Sequence, residues 1–480
     1  MENDNKDKKR LSFKERISRV KWTRWLRFGI VSAIFFGFVC WLGNPWVALA
    51  WILLADIYIL QYIPWTWWKS TKGFTRTIMA WVDAILYALV LVYFIFAFIG
   101  QNYQIPSSSL EKSLLVGDYL WVSKTVYGPR VPQTPLHFPL AHHTIPLLNV
   151  KSYIDKPQLD YHRLPGARSV ERGDIVVFNF PQGDTVLSNF PDQNYYMILQ
   201  ELRKEGIADP RRFIAENPRK FGKIIVRPVD RRENYVKRAI GLPGDRFQLR
   251  GDTVFINGKA LPEPENLQFN YIVPVTSNID PQKWQELGVR LEDVAAGPQV
   301  NQFNGSRFYS VPLTRKMLAE VKGWPEVNGE IIREGRSGIF LIDGVFPQES
   351  DYGWTRADTK EFWIPKRGVT LRLNPGNLPL YERAIRTYEG NDLEVRDGKI
   401  FINGKQTDSY TFKYDYYWMM GDNRDRSLDS RYFGFVPEDH VIGSPMFIIV
   451  SIDQEKSLTE KGKIRTERIL RDANPDKKLF

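Results

Sequence analysis

Ile105-Pro-Ser-Ser-Ser-Leu-Glu-Lys-Ser-Leu-Leu-Val-Gly-Asp118 stands between two unlike parts of the 480-residue chain. An apolar run, residues 79 to 100, leads into it. Pro106 fixes its own φ and drives Ile105 towards an extended conformation, so a helix arriving from that run has to stop here. Gly117-Asp118 then reads as a turn feeding the strand-like Tyr119-Leu-Trp-Val-Ser-Lys124. Three consecutive hydroxyls are presented where the chain leaves an apolar segment. A nucleophile beside a bilayer is one reading. A polar linker is the other, and taken alone the stretch favours the linker.

Charge is unevenly spread. Ten bases and four acids precede Phe28, a net +6 out of +11 for the whole chain. A basic arm abutting an apolar segment points to a cytoplasmic membrane flank rather than to nucleic acid. Cys40 is the only cysteine and lies in an apolar run, so an intrachain disulfide and a cysteine metal site are both excluded. The histidines, His137, His142, His143, His162 and His440, form no His-Glu-x-x-His pattern. Adjacent His142 and His143 on a strand would point to opposite faces. No metal or cofactor is expected.

The organisation expected from hydropathy is a basic cytoplasmic arm (1–26), spans at 27–43, 46–64 and 79–100, and a basic cytoplasmic loop (65–78) with Lys69, Lys72 and Arg76. Three spans then place everything after Gly100 on the far side of the membrane. Asp56 and Asp83 interrupt apolar runs, and an intramembrane carboxylate is a functional candidate by default. From 101 to 452 the texture is short β-like runs, such as Ile175-Val-Val-Phe-Asn-Phe180 and Met446-Phe-Ile-Ile-Val-Ser451, which predicts a mainly antiparallel β domain anchored by N-terminal transmembrane helices. Insertions are expected at about 182–234 and 261–369, the second as a β subdomain remote from the chemistry, and 453–480 reads as a polar, basic tail. The apolar, Pro-rich stretch 127–166 fits a bilayer-resting surface and a packed loop equally well.

One repeat is visible. Residues 237–259 and 382–405 both end in Phe-Ile-Asn-Gly-Lys, with Asn-Gly a strong hairpin turn. Lys237 in the first copy aligns with Glu382 in the second, as if one copy were chemical and the other scaffold.

A hydroxyl nucleophile needs a base. Ser109-Leu-Glu-Lys112 is a Ser-x-x-Lys motif, but the Lys-Thr-Gly strand that accompanies it in penicillin-recognising enzymes is missing. Lys237, in Tyr235-Val-Lys-Arg-Ala-Ile240, has apolar neighbours on a strand-like run. A buried lysine loses charge and can take a serine proton; an exposed strand lysine is the alternative.

Four stretches decide between these. Ile105 to Leu110 with Gly117-Asp118, Arg172-Gly-Asp-Ile-Val-Val-Phe178, residues 235–245, and Gly421-Asp-Asn-Arg-Asp-Arg-Ser-Leu-Asp-Ser-Arg431 with Gly434-Phe-Val-Pro437 occur in this order. Each resembles a box of the type I signal peptidases, membrane-bound Ser/Lys proteases, and the resemblance spans roughly residues 79 to 452. It implies that Ser109 is the nucleophile and Lys237 the general base. Ser107 would donate to the oxyanion beside the Ser109 N–H, and Ser427 would hydrogen-bond and aim Lys237. Asp429 and Arg431 would form a supporting pair, with Asp422 and Asn423 in the same box. It further implies cleavage of secretory preprotein signal peptides after small residues of the Ala-x-Ala type, by an extended peptide adding to a sheet edge. The setting would be the outer, periplasmic face of a bacterial cytoplasmic membrane, with the lipid bilayer as partner, the secretion translocon as a candidate partner and no nucleic acid. Leu110 stands where bacterial members usually have methionine, an exchange of similar volume. The alternatives are a catalytically inactive membrane-anchored binding module of the same fold and a penicillin-binding enzyme working through Lys112.

Overall fold

The structure, a computed structural model, describes residues 17–43, 45–138, 140–145, 148, 150–191, 193–300, 305–334, 344–348 and 352–480. Most of the basic arm, from Lys6 to Arg16, lies outside the described residues.

Apolar helices lead into a β domain. α1 (Trp22–Leu42) and α3 (Phe74–Ile99), of 21 and 26 residues, are long and apolar enough to cross a membrane. α2 (Pro45–Leu60) is apolar but shorter. Gly43 closes α1 at φ +68, its N–H reaching the carbonyls of Val39 and Cys40. α2 folds back along α1, with Phe28 meeting Trp51 and Tyr58 at 5.4 and 6.3 Å and Trp51 Nε1 donating to Ser32 Oγ at 2.9 Å. Where α2 ends, Asp56 is buried and accepts from the N–H groups of Tyr62 and Ile63 and the indole of Trp65, at 2.7, 3.1 and 2.9 Å. Three donors satisfy this carboxylate, which closes the turn after α2. Asp83 is exposed on α3. α1 and α3 finish together: Phe98 packs on Phe38 and Trp41 at 5.4 and 6.1 Å, and Leu42 and Phe98 share a buried cluster with Leu164 of the β domain.

The main sheet holds β1 (Gly100–Gln104), β2 (Asp118–Ser123), β3 (Ile175–Asn179), β4 (Asn234–Gly241), β5 (Tyr416–Met420), β6 (Val436–Pro437) and β7 (Val441–Ser451). Its order is β1-β2-β7-β3-β4-β5-β6, with every pairing antiparallel. β3 and β5 are buried at every position, as their unbroken apolar runs require, whereas β2 alternates. β3 covers one edge of β4 from Asn234 to Arg238, but β5 covers the other edge only from Arg238 onward. Among the described residues, the outer edge of β1 and the second edge of the first half of β4 are therefore unpaired. They border an apolar trough built on Ile105, Leu120, Val122, Val177 and Ile442.

The insertions are compact. The first contains the hairpin Thr185–Leu187 with Ile224–Val226 and a helical core around Leu199 and Ile214. The second is a sheet pairing Phe269–Val275 with Arg307–Leu313 over Trp284. Contrary to the expectation above, it is not remote from the four matching stretches but docks on the 421–431 box. Gln268 N–H donates to Asp422 O and Arg424 N–H to Gln268 O, both at 2.9 Å, and Asn270 N–H donates to Asp425 Oδ2 at 2.8 Å. The backbone polar groups of the 421–426 turn are buried and need partners, which this subdomain supplies.

The repeat is real only in part. Asn257-Gly258 and Asn403-Gly404 are matching turns with φ values of 52 and 77°, and 51 and 77°. The Asn257 side chain accepts from Arg246 N–H and the Asn403 side chain from Asp392 N–H, each at 2.9 Å. Glu382, however, lies in the helix Leu378–Arg383, not on a strand, so it is no counterpart of Lys237. The C-terminal segment is not a loose tail either. Ala473 is fully buried, Arg468 pairs with Asp118 at 2.6 Å, and Asn474 Oδ1 accepts from Ile175 N–H at 2.9 Å. His142 and His143 lie in a bend, not a strand; His142 Nε2 meets Arg232 O at 2.8 Å and His143 Nε2 meets Glu233 at 3.1 Å.

Candidate active site

α3 gives way to β1 without a loop, and Ile105 is pinned by hydrogen bonds with Asp118 and Gly117, at 2.9 and 3.0 Å. Pro106 then breaks the strand, Ser107 is extended and exposed, and Ser108–Leu110 makes one 3-10 turn that carries Ser109 into the trough, 4% exposed. Lys237 comes from β4, also 4% exposed, and its Nζ meets Ser109 Oγ at 2.6 Å. Burial pushes the lysine down to about 8; Asp429 and Asp422 oppose the shift and Arg431 adds to it.

Lys112 is not part of this pair. It adopts φ +72, and its ammonium donates to the carbonyl of Gly288 in the second insertion. The 3-10 turn ends before Lys112, so the helical turn that a Ser-x-x-Lys pair requires never forms.

The 421–431 box clamps the Ser109 turn from behind. Asn423 donates its N–H to Ser109 O and its side-chain amide to Ser108 O, each at 3.1 Å. Asp429 takes both arms of Arg431, at 2.9 and 2.8 Å, and accepts from Gly421 N–H at 3.0 Å. Asp422 is held by Arg238 at 2.9 and 2.7 Å and by Ser113 Oγ at 2.6 Å. Burial would raise both carboxyls, but the guanidiniums outweigh it and keep them below the usual carboxylate range. Both stay ionised, and their negative charge acts on Lys237 against the desolvation that lowers it. Arg238 and Ser113 were not singled out from the sequence; an aspartate this buried needs a basic partner, and Lys237-Arg238 is the basic pair nearest in the boxes.

Ser427 departs from expectation. Its hydroxyl is buried and, among the described residues, has no hydrogen-bond partner, so it does not hold Lys237 here. A Cβ on Gly421 would stand 2.2 Å from Ser427 Oγ and 2.6 Å from Ser109 O. Rotation can move the Ser427 hydroxyl, but not Ser427 Cβ, also at 2.6 Å, nor the Ser109 backbone. Gly421→Ala is therefore expected to push Ser109 out of line and lower kcat by roughly tenfold to a hundredfold with little change in KM, measured on a cleaved peptide.

The sequence profile described as "Signal peptidase, peptidase S26" matches residues 78–290 and 408–450. The chain belongs to this signal peptidase family. As a member it is a serine endopeptidase of signal peptide processing, and its apolar N-terminal helices fit a membrane anchor. The match takes in Ser109, Lys237 and the 421–431 box. Similar signal peptidases I include that of Buchnera aphidicola (subspecies Schizaphis graminum), 24% identical over 406 residues, covering 84% of this chain and 82% of the relative. That of Haemophilus influenzae is 25% identical over 378 residues, covering 78% and 70%. A solved signal peptidase I from Enterococcus faecalis aligns at 16% identity over 58% of this chain and 97% of its own, with a TM-score of 0.17 that supports no argument about geometry.

Proposed function

We propose that this protein removes signal peptides from secretory preproteins at the outer face of a bacterial cytoplasmic membrane, with Ser109 as nucleophile and neutral Lys237 as general base. The 2.6 Å contact between two buried groups, one of them a lysine lowered by desolvation, carries this reading. Lys237 takes the Ser109 proton as Oγ attacks the scissile carbonyl, then returns it to the leaving amine. Ser107 Oγ and the Ser109 N–H, which has no partner among the described residues at the start of its 3-10 turn, hold the oxyanion. Ser427, the buried hydroxyl without a partner, turns to receive a hydrogen bond from Lys237 and aims it. Asp422, Asn423, Asp429 and Arg431 keep the turn in place.

The precursor binds as an added strand between β1 and the first half of β4. Its side chains alternate, so the first and third residues before the cut share the inner face. Tyr103, Leu120 and Val236 fill that face, which favours small residues there, in the Ala-x-Ala manner. Since α1 and α3 finish together at the β domain, Lys69, Lys72 and Arg76 fall at the opposite end of the helices, which fits a cytoplasmic loop. Leu136, Phe138, Leu140 and Ile154 are exposed beside the end of α3 and fit contact with the bilayer. The test is purified protein with a secretory precursor, followed by mass mapping of the cut. Cleavage is expected after small residues, lost in Ser109→Ala and unchanged in Lys112→Met. A Ser109→Ala variant that still cuts would overturn the assignment; loss of cutting in Lys112→Met would favour the Lys112 alternative, and wild-type protein that cuts nothing would favour the inactive module.

A further inference from the structure

The trough continues past the dyad. Gln101 lies opposite Val122 and Tyr103 opposite Leu120, and opposed residues share a face of the sheet. Lys124, two residues beyond Val122, continues that inner face. There the trough opens into a cavity of about 190 Å³, whose far wall is Tyr93, Phe96 and Ala97 in the last turns of α3. Lys124 sits at the junction itself, its N–H donating to Ile99 O at 2.9 Å.

The cavity lining carries three basic side chains, Lys124, Arg130 and Arg231, against one carboxylate, together with one buried amide oxygen, Gln133 Oε1, that has no hydrogen-bond partner among the described residues. Arg130 is engaged by Asn179 Oδ1 at 2.6 Å and by the Asp439 carbonyl. Arg231 donates to the carbonyls of Thr134 and His142, at 3.0 and 3.3 Å, and pairs with Asp230 at 3.8 Å, but its Nε is buried without a hydrogen-bond partner among the described residues. Asp230, the one carboxylate in the lining, is taken up by Thr134 at 2.9 and 2.8 Å. The ammonium of Lys124 meets no acceptor among the described residues. Burial, with Arg130 and Arg231 beside it, pushes its pKa down to about 7 against a partial pull from Asp230.

A precursor that crosses the bilayer as a helix and enters the trough as a strand has to break its helix between the two. At the break, the last four carbonyls lose their partners and carry the negative end of the helix dipole. Lipid supplies no donors for them. Ile105 to Gln101 is roughly 13 Å of extended chain, so the break falls about four or more residues upstream of the segment held at Ile105.

We propose that this cavity is a further substrate subsite, in which Lys124 and Arg231 Nε donate hydrogen bonds to the unpaired carbonyl oxygens where the precursor's apolar helix ends. This rests on the reading that the trough holds the precursor. Because the acceptors are backbone atoms, the subsite is indifferent to side chains and suits an enzyme with many substrates.

The test uses full-length protein in phosphatidylcholine vesicles and two substrates: a precursor with its apolar helix, and a short peptide carrying the same cut site without it. Lys124→Met is expected to lower kcat/KM on the precursor by about tenfold or more, mainly through KM, and to change the short peptide by less than about twofold. Lys124→Arg, which keeps the donors, is expected to retain most of the precursor rate. Equal losses on both substrates, no loss on either, or a loss that appears only when anionic phospholipid is added would overturn the proposal, the last in favour of a lipid phosphate site. Wild-type protein that leaves the precursor uncut would sink the functional reading itself; wild-type cleavage with an unaffected Lys124→Met variant would sink the subsite alone.

Discussion

Lys237→Met is expected to abolish cleavage and, at neutral pH, to make the protein more stable. Loss of a positioned base costs on the order of 10²–10⁴ in rate, and here the serine would also lose its 2.6 Å partner. The stability effect has the opposite sign. Burial holds the lysine at about 8 in the folded protein against an ordinary 10.5. Between those values the unfolded chain binds the proton and the folded chain does not, so wild-type stability rises with pH from about 8 to about 10.5. Below about pH 8 the folded state carries the whole penalty, on the order of 3 kcal/mol. Methionine has no such penalty. The melting temperature of Lys237→Met is expected to exceed that of the wild type at pH 7, with the gap closing as pH approaches 10.5. Wild-type kcat/KM on a short peptide is expected to rise through an apparent pKa of about 8, as the amine sheds its proton. A variant less stable than wild type at pH 7, or a rate independent of pH between 7 and 9, would refute the desolvated-base account.

Arg238→Met is expected to be among the most damaging substitutions that touch neither reacting group. It leaves Asp422 fully enclosed with only Ser113 as a strong partner, and it also removes donors from the carbonyls of Gly173 and Pro475. Breaking one side of a buried ion pair costs about 3–5 kcal/mol, because the remaining charge stays uncompensated. Denaturant unfolding in detergent should show a loss of that size. Arg238→Met combined with Asp422→Asn should recover part of it, since the stranded charge is gone. Equal stability of single and double variants would mean that the pair is not coupled as its geometry indicates.

The pairing of Ser109 with Lys237 was legible only through the four matching stretches: alone, the serines read as a linker and Lys237 as an exposed strand lysine, and the helix stops at Ile99, ahead of β1, rather than at Pro106. The β class was legible from runs such as Ile175 to Phe178, which are buried at every position. The misses come from contacts that residue type alone does not announce, some local and some distant in the chain. Asp56 looked functional until its three donors came into view, and those are set by the fold of one short turn. Glu382 aligned with Lys237 by residue type, yet the helix Leu378–Arg383 packs Leu378, Leu380 and Tyr381 inward, and tertiary burial overrode the repeat. The docking of residues 268–270 on the 421–426 turn left no periodicity to read, because it is made of backbone hydrogen bonds.

Ser109 and Lys237 lie 128 positions apart, while Arg238 waits on Asp422 a further 184 positions on and on Pro475 at 237. A ribosome therefore delivers the weapon long before its mounting. While the later segments are still being synthesised, the emerging chain displays a serine whose carbonyl has no clamp and an arginine with no counter-charge. The contacts that hold the serine turn and neutralise the arginine therefore form only with the closing stretches of translation.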